Sequence, residues 1–217
     1  MKKGIIFDMD GTIWDSSLNV AKSWDIKVKE AGYLNEKVTQ DDIKSVMGKT
    51  MDVIADILFP YTKEGEERNK LRKACEEYEI EYLRENGGVI YPQVIETLKL
   101  LKSLGYHLYI VSNCQAGYIE AFLEYFNIDW GNDHSLIEDI ECYGNNFLSK
   151  GENIALVTKR NNLDKAVYVG DIQGDYDSTC EAGLPFIHAA YGFGTINAEV
   201  PSINKFMDLV NVIGKVI

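Results

Sequence analysis

The chain has 217 residues, 46% hydrophobic and 26% charged, enough for a hydrophobic core without disulfides or structural metal, and outside the disordered class. Lys and Arg total 22 against 34 Asp and Glu, so the net charge is −12; no basic run offsets that field, which excludes a nucleic-acid partner. No stretch is apolar for the length of a transmembrane helix, so no membrane partner is expected. The opening Met1-Lys2-Lys3-Gly4-Ile5-Ile6-Phe7 meets Asp8 too soon for a signal core. The expectation is a soluble, cytoplasmic protein with Cys75, Cys114, Cys142 and Cys180 reduced, since no two have metal-like or CxxC spacing.

In chain order, Gly4–Phe7 is a short apolar run that predicts a buried strand ending at Asp8 and Asp10. From Asp15 to Gly88 the pattern is almost wholly helical. Leu18, Ala21, Trp24, Val28 and Ala31 form one stripe, stopped by Gly32. Thr39 with Asp42 caps a second helix before Ile43, Val46 and Met47. Leu71, Cys75, Tyr78 and Tyr82 stripe a charged helix that ends at Asn86-Gly87-Gly88. The block is too long for a strand-to-helix loop and predicts a helical cap at residues 15–88, inserted into a core of residues 1–14 and 89–217.

Within that core, Val94, Leu98, Leu101 and Leu104 form an apolar stripe closed by Gly105. His107–Val111 predicts a second strand, before Ser112 and Asn113, and Ile119, Phe122, Leu123 and Phe126 predict a helix after it. Ser149 and Glu152 have capping-box spacing, which makes Lys150 the first residue of a helix. A cation there costs roughly 0.3–1 kcal/mol against the helix dipole, tolerable if an anion faces it. Ala166–Val169 predicts a strand before Gly170-Asp171, and Phe186–Ala190 another before Tyr191-Gly192. Strands alternating with helices imply a parallel α/β sheet.

In such a sheet the carboxyl ends of the strands share one edge, where ligands bind. Asp8, Asp10, Asp171 and Asp175 converging there would repel one another, and a hard divalent cation with oxygen ligands relieves the conflict; Mg2+ suits a site that also takes phosphate oxygens. Lys150 supplies a positive group.

Asp8-Met9-Asp10-Gly11-Thr12, Val111-Ser112-Asn113, Lys150 and Gly170-Asp171-Ile172-Gln173-Gly174-Asp175 stand in the order of the four signatures of the haloacid dehalogenase (HAD) superfamily, which this chain resembles over nearly its whole length. The helical insert resembles the C1 cap of the phosphoglycolate phosphatase and β-phosphoglucomutase branch. Gly151 departs from the commonest pattern, where a proline follows the lysine. The resemblance implies a HAD-type Rossmann-like parallel sheet flanked by helices, and a Mg2+-dependent phosphatase acting on a small phosphorylated metabolite. Asp8 would attack phosphorus and become an aspartyl phosphate, its ordinary pKa of about 3.9 leaving it charged at neutral pH. Asp10 would protonate the leaving alcohol, then activate water. The Asp10 backbone carbonyl and the Asp8 and Asp171 carboxylates would hold Mg2+, with Asp175 at the metal directly or through water. Ser112, Lys150 and backbone N–H groups near Gly11, Thr12 and Asn113 would bind phosphoryl oxygens. The Gly48-Lys49-Thr50 turn resembles the specificity loop of this branch, and Lys49 would meet an anionic group on the substrate.

Other chemistries fit less well. Dehalogenases and phosphonate hydrolases of the superfamily lack an acid at the Asp10 position. The mutases carry a cap-hinge histidine where this chain has Val20, and no histidine precedes His107. A phospho-aspartate switch or a binding module would need neither the cap nor Asp10. His107, His134 and His188 are assigned to structure, as is Cys114, although a thiol beside the second signature is a site for oxidation.

Overall fold

The computed structural model describes residues 1–217. Its strands are β1 (Lys3–Phe7), β2 (Trp14–Asp15), β3 (Val89–Ile90), β4 (His107–Ser112), β5 (Asp139–Cys142), β6 (Lys165–Gly170), β7 (Phe186–Ala189) and β8 (Ser202–Ile203). Its helices are α1 (Ser17–Glu30), α2 (Gln40–Val46), α3 (Met51–Leu58), α4 (Glu66–Asn86), α5 (Val94–Ser103), α6 (Tyr118–Tyr125), α7 (Tyr143–Asn146), α8 (Lys150–Arg160), α9 (Gln173–Glu181) and α10 (Leu209–Val212). None of these helices is long and apolar enough to cross a membrane.

Six strands form one sheet in the order β5-β4-β1-β6-β7-β8, every pairing parallel. Alternate side chains leave opposite faces, so the apolar runs serve two cores. Ile5, Phe7, Leu108, Ile110, Val167 and Val169 join one, covered by Val94, Leu98 and Leu101 of α5. Ile6, Tyr109, Val111 and Tyr168 join the other, covered by Ile154 and Val157 of α8. Phe7 pairs with Ile110 on one side and Val169 on the other, so the residues after all three strands reach the same edge. The chain runs from β1 out through β4 to β5 and returns to β6, which puts the reversal of strand order at the end of β1.

Between β2 and β3, which pair antiparallel with Trp14 opposite Ile90 and Asp15 opposite Val89, the chain makes α1 to α4. The expected boundary at 14/15 falls inside β2, and the one at 88/89 lies just before β3. Thr39 and Asp42 form the capping box of α2, and Ser149 and Glu152 that of α8.

Several expectations need correction. Leu18 is 47% exposed and Leu104 55%, and Ala31 is exposed too, so these apolar letters extend their stripes without joining the core. On α4 the buried set is Arg68, Leu71, Cys75, Glu79 and Leu83, while Tyr78 and Tyr82 are half-buried. A carboxylate in a buried position masked the true period. Strand β5 is read Asp-Ile-Glu-Cys, with no apolar run to announce it. Its acids survive at a sheet edge because Arg160 of α8 donates to Asp139 at 2.6 Å and to Glu141 at 2.6 Å.

Candidate active site

Asp8 follows β1 directly; its backbone N–H still donates to the Val169 carbonyl at 2.9 Å, so sheet pairing fixes where its side chain starts. The ammonium of Lys150, first residue of α8 and 3% exposed, donates to Asp8 Oδ1 at 2.7 Å and to Asp175 Oδ1 at 2.5 Å. The Tyr168 hydroxyl donates to the Val111 carbonyl at 2.7 Å and lies 3.4 Å from Asp8 Oδ1. Two buried carboxylates hold Lys150 charged, raising its pKa well above the ordinary value against the opposing effect of burial.

Asp175 uses its second oxygen on the backbone N–H groups of Asp171 (3.0 Å) and Ile172 (3.2 Å). Both its oxygens are therefore engaged. Asp171 accepts from the Phe193 N–H at 2.7 Å through Oδ2, while its Oδ1 is buried with no partner. Oxygen atoms of Asp8, Asp171 and Asp175 lie within 4.8 Å of one another. Burial first, and then Asp175, pushes Asp8 up to about 7 and raises Asp171 well above the carboxylate range, with Lys150 opposing both. The orphaned Asp171 oxygen and the mutual repulsion of three acids fit a hard divalent cation. A carboxylate oxygen and a backbone carbonyl are donors of the class Mg2+ prefers.

Asp10 is turned away from this cluster. Ser16 donates to its Oδ1 at 2.6 Å, and the Tyr118 hydroxyl reaches Oδ1 at 2.9 Å and Oδ2 at 2.8 Å. Burial pushes its carboxyl up to about 6, the two hydroxyl donors holding it lower than burial alone would. The nearby turn is tight: the Thr12 and Ile13 N–H groups donate to the Met9 carbonyl at 3.1 and 2.8 Å. Gly11 has φ +86°, and a Cβ there would meet Asp171 Oδ2 at 2.1 Å, so only glycine lets the loop lie against the acid. Thr12 is buried with its hydroxyl unpartnered.

Ser112 ends β4, buried. Asn113 donates to the Gly48 carbonyl at 2.9 Å, which joins the strand end to the Gly48-Lys49-Thr50 turn between α2 and α3. Lys49 is exposed. Asp10, Ser112, Asn113 and Lys49 line one cavity of about 450 Å3 of empty space, part of it open to solvent, between the strand ends and the helices α1 to α4.

Several residues of this arrangement were not singled out from the sequence. Ser16 and Tyr118 orient Asp10; Gly192 and Phe193 after β7 pack against and donate to Asp171, so a fourth strand end contributes. Glu79 and Gln115 complete the cavity wall. Only the glycine after β7 carried a signal, because Gly192 follows a strand end as the other site residues do. His107 bonds Glu138, His188 reaches the Asp171 carbonyl, and His134 is exposed.

The sequence profile of the haloacid dehalogenase-like hydrolases matches residues 5–189. The chain belongs to that family, and it is a phosphatase within it. Its likeness runs to phosphoglycolate phosphatases: it is 27% identical to the phosphoglycolate phosphatase of Aquifex aeolicus, over 96% of this chain and 95% of that one. Among solved structures, a predicted phosphoglycolate phosphatase of Haemophilus somnus superposes with a TM-score of 0.77 at 23% identity, covering 98% of both chains. CbbY from Rhodobacter sphaeroides, solved with phosphate, gives 0.74 at 16% identity over 96% of both, a likeness of fold.

Proposed function

We propose that this enzyme hydrolyses a small phosphomonoester of the phosphoglycolate phosphatase type through an aspartyl-phosphate intermediate, an acyl phosphate, on Asp8, with Mg2+ as cofactor. One observation carries the reading: Asp8 lies at a single strand end with a buried cation on one side and two further carboxylates within reach of a shared ion. Asp8, Asp171 and the Asp10 carbonyl would hold Mg2+, with Asp175, which also accepts from Lys150 and two backbone N–H groups, at the metal directly or through water. When bound, the metal neutralises acidic charge and draws electron density from the phosphoryl group.

The chain's own residues supply the rest. Asp8 attacks phosphorus and expels the alcohol. Asp10, held by Ser16 and Tyr118, gives the alcohol its proton and later takes one from the water that cleaves the acyl phosphate. Lys150, Ser112 and the N–H groups around Gly11, Thr12 and Asn113 bind the phosphoryl oxygens. Residues 15–88 act as the cap that closes over the leaving group, and Lys49 contacts that group from the turn. In this reading turnover, not a lasting phospho-aspartate, follows from the acid placed at Asp10.

The test is phosphate release from p-nitrophenyl phosphate with Mg2+. Asp8→Asn keeps the shape and removes the nucleophile, so the expected loss is several orders of magnitude. Equal rates for wild type and Asp8→Asn would overturn the reading.

A further inference from the structure

Helix α1 starts at the proposed chemistry and runs along the cavity. Its N-cap Ser16 donates to Asp10, and Val20 and Trp24, four and eight residues further on, line the cavity. Residues four apart lie on one helix face, so the three form a ladder that leaves Asp10 by about 6 Å per step. A leaving alcohol that takes its proton from Asp10 and lies along α1 meets Val20 first and Trp24 last.

Trp24 is fixed in place. It is 1% exposed, its indole lies against Phe59 with ring centroids 5.5 Å apart, and its N–H donates to Glu79 of α4. One turn further along α1, Val28 is fully buried, so packed core lies behind the indole. The side walls are apolar, Val46 of α2 with Met51 and Ile54 of α3. An apolar groove open at its far end would reward each added methylene roughly fourfold in affinity. A groove closed by a fixed ring rewards only the carbons that fit, because a close-packed interior does not make room for more. The whole space, about 450 Å3 including its solvent-open part, is at the small end for ligand cavities.

Resting on the phosphatase reading, we propose that Trp24 determines specificity by length: it closes the leaving-group end of the cavity and restricts the enzyme to esters of short alcohols, with Val20 lining the near half of the same space. The phosphate lies at the strand ends, and the alcohol extends along α1 until it meets the indole. The limit is on the size of the alcohol, not on the group that ends it, so a two-carbon hydroxy acid such as glycolate falls within it.

The experiment measures kcat/KM with Mg2+ for straight-chain ethyl, butyl, hexyl and octyl phosphates. The wild type is expected to lose roughly tenfold or more from ethyl to octyl phosphate. Trp24→Leu keeps an apolar side chain near Phe59 and vacates the volume of the ring, so its octyl-to-ethyl ratio is expected to rise roughly tenfold over the wild type. Val20→Leu adds a methylene nearer Asp10 without removing a side-chain hydrogen bond, and its hexyl-to-ethyl ratio is expected to fall roughly fivefold or more. Each ratio is taken within one protein, so loss of folded enzyme does not move it. A wild type whose kcat/KM rises or stays level with chain length, or that cleaves p-nitrophenyl phosphate but no alkyl ester, overturns the inference. An unchanged ratio in either folded variant overturns it as well; should Trp24→Leu not fold, the wild-type series and Val20→Leu decide. Absence of phosphate release by the wild type from every alkyl ester and from p-nitrophenyl phosphate instead removes the phosphatase reading, and this inference with it.

Discussion

Lys150 bridges Asp8 and Asp175, 2.7 Å from one carboxylate and 2.5 Å from the other, inside a site closed to solvent. The three charges are interdependent, because burial penalises each and only their opposite signs offset it. Removing the cation leaves two acids facing each other without compensation, and breaking a buried pair in this way costs about 3–5 kcal/mol. Lys150→Met is therefore expected to melt at lower temperature and to lose roughly 10^2–10^3 in kcat, the cost of deleting one donor to transition-state charge. Thermal melts and p-nitrophenyl phosphate kinetics check both; a variant with wild-type kcat would remove Lys150 from the catalytic set.

Tyr118 and Ser16 aim Asp10. Tyr118→Phe keeps the edge contact of its ring with Trp14, whose centroid is 5.7 Å away, and deletes the one hydroxyl donor that reaches both Asp10 oxygens. With Asp10 in the proposed role on the leaving alcohol, and not in ground-state binding, kcat is expected to fall roughly tenfold while KM changes little. Steady-state kinetics decide, and a change confined to KM would place Tyr118 in substrate binding instead.

The unpartnered Asp171 Oδ1 and the crowding of Asp8, Asp171 and Asp175 predict that Mg2+ stabilises the fold as well as the reaction. A ligand at a hundred times its Kd adds about 2.7 kcal/mol. Each kcal/mol appears as roughly 2–4 °C in Tm for a chain of this length. Melts of chelator-treated protein, with and without Mg2+, are expected to differ by that much in the wild type. Asp171→Asn should abolish the difference. A Tm indifferent to Mg2+ would exclude this cluster as the metal site.

Glu79 links stability to pH. Its proton is bound more tightly in the folded chain, where burial pushes it from 4.5 up to about 8, with Trp24, Gln115, Asp10 and Glu76 around it. The stability that this proton contributes is complete below about 4.5 and is lost as pH rises through about 8. Glu79→Gln cannot titrate, so the wild-type Tm should fall relative to the variant across that interval, by roughly 2–4 °C for each kcal/mol lost. Parallel Tm curves would show that Glu79 is ionised throughout.

The acidic cluster was legible because Asp8, Asp10 and Asp171 stand within three residues of an apolar strand run, with Asp175 in the first turn of the helix that follows β6. Lys150 was legible for a similar local reason, as its capping box is complete within four residues. Such signals need no knowledge of what lies opposite. Strand β5 was missed because its alternating acids are neutralised by Arg160, a partner about twenty positions away, which no local pattern reveals.

The sequence by itself determined the parallel α/β core, the helical block after the first strand and the acidic strand ends, since period and spacing along the chain encode burial and chain direction. Only tertiary structure decided that Asp10 turns from the other acids toward Ser16 and Tyr118, and that Asp175 spends both oxygens on Lys150 and the backbone. It likewise decided that Glu79 faces the cavity rather than water. The physical reason is that a carboxylate's role depends on its dielectric surroundings and its donors, and those come from segments far away in the chain.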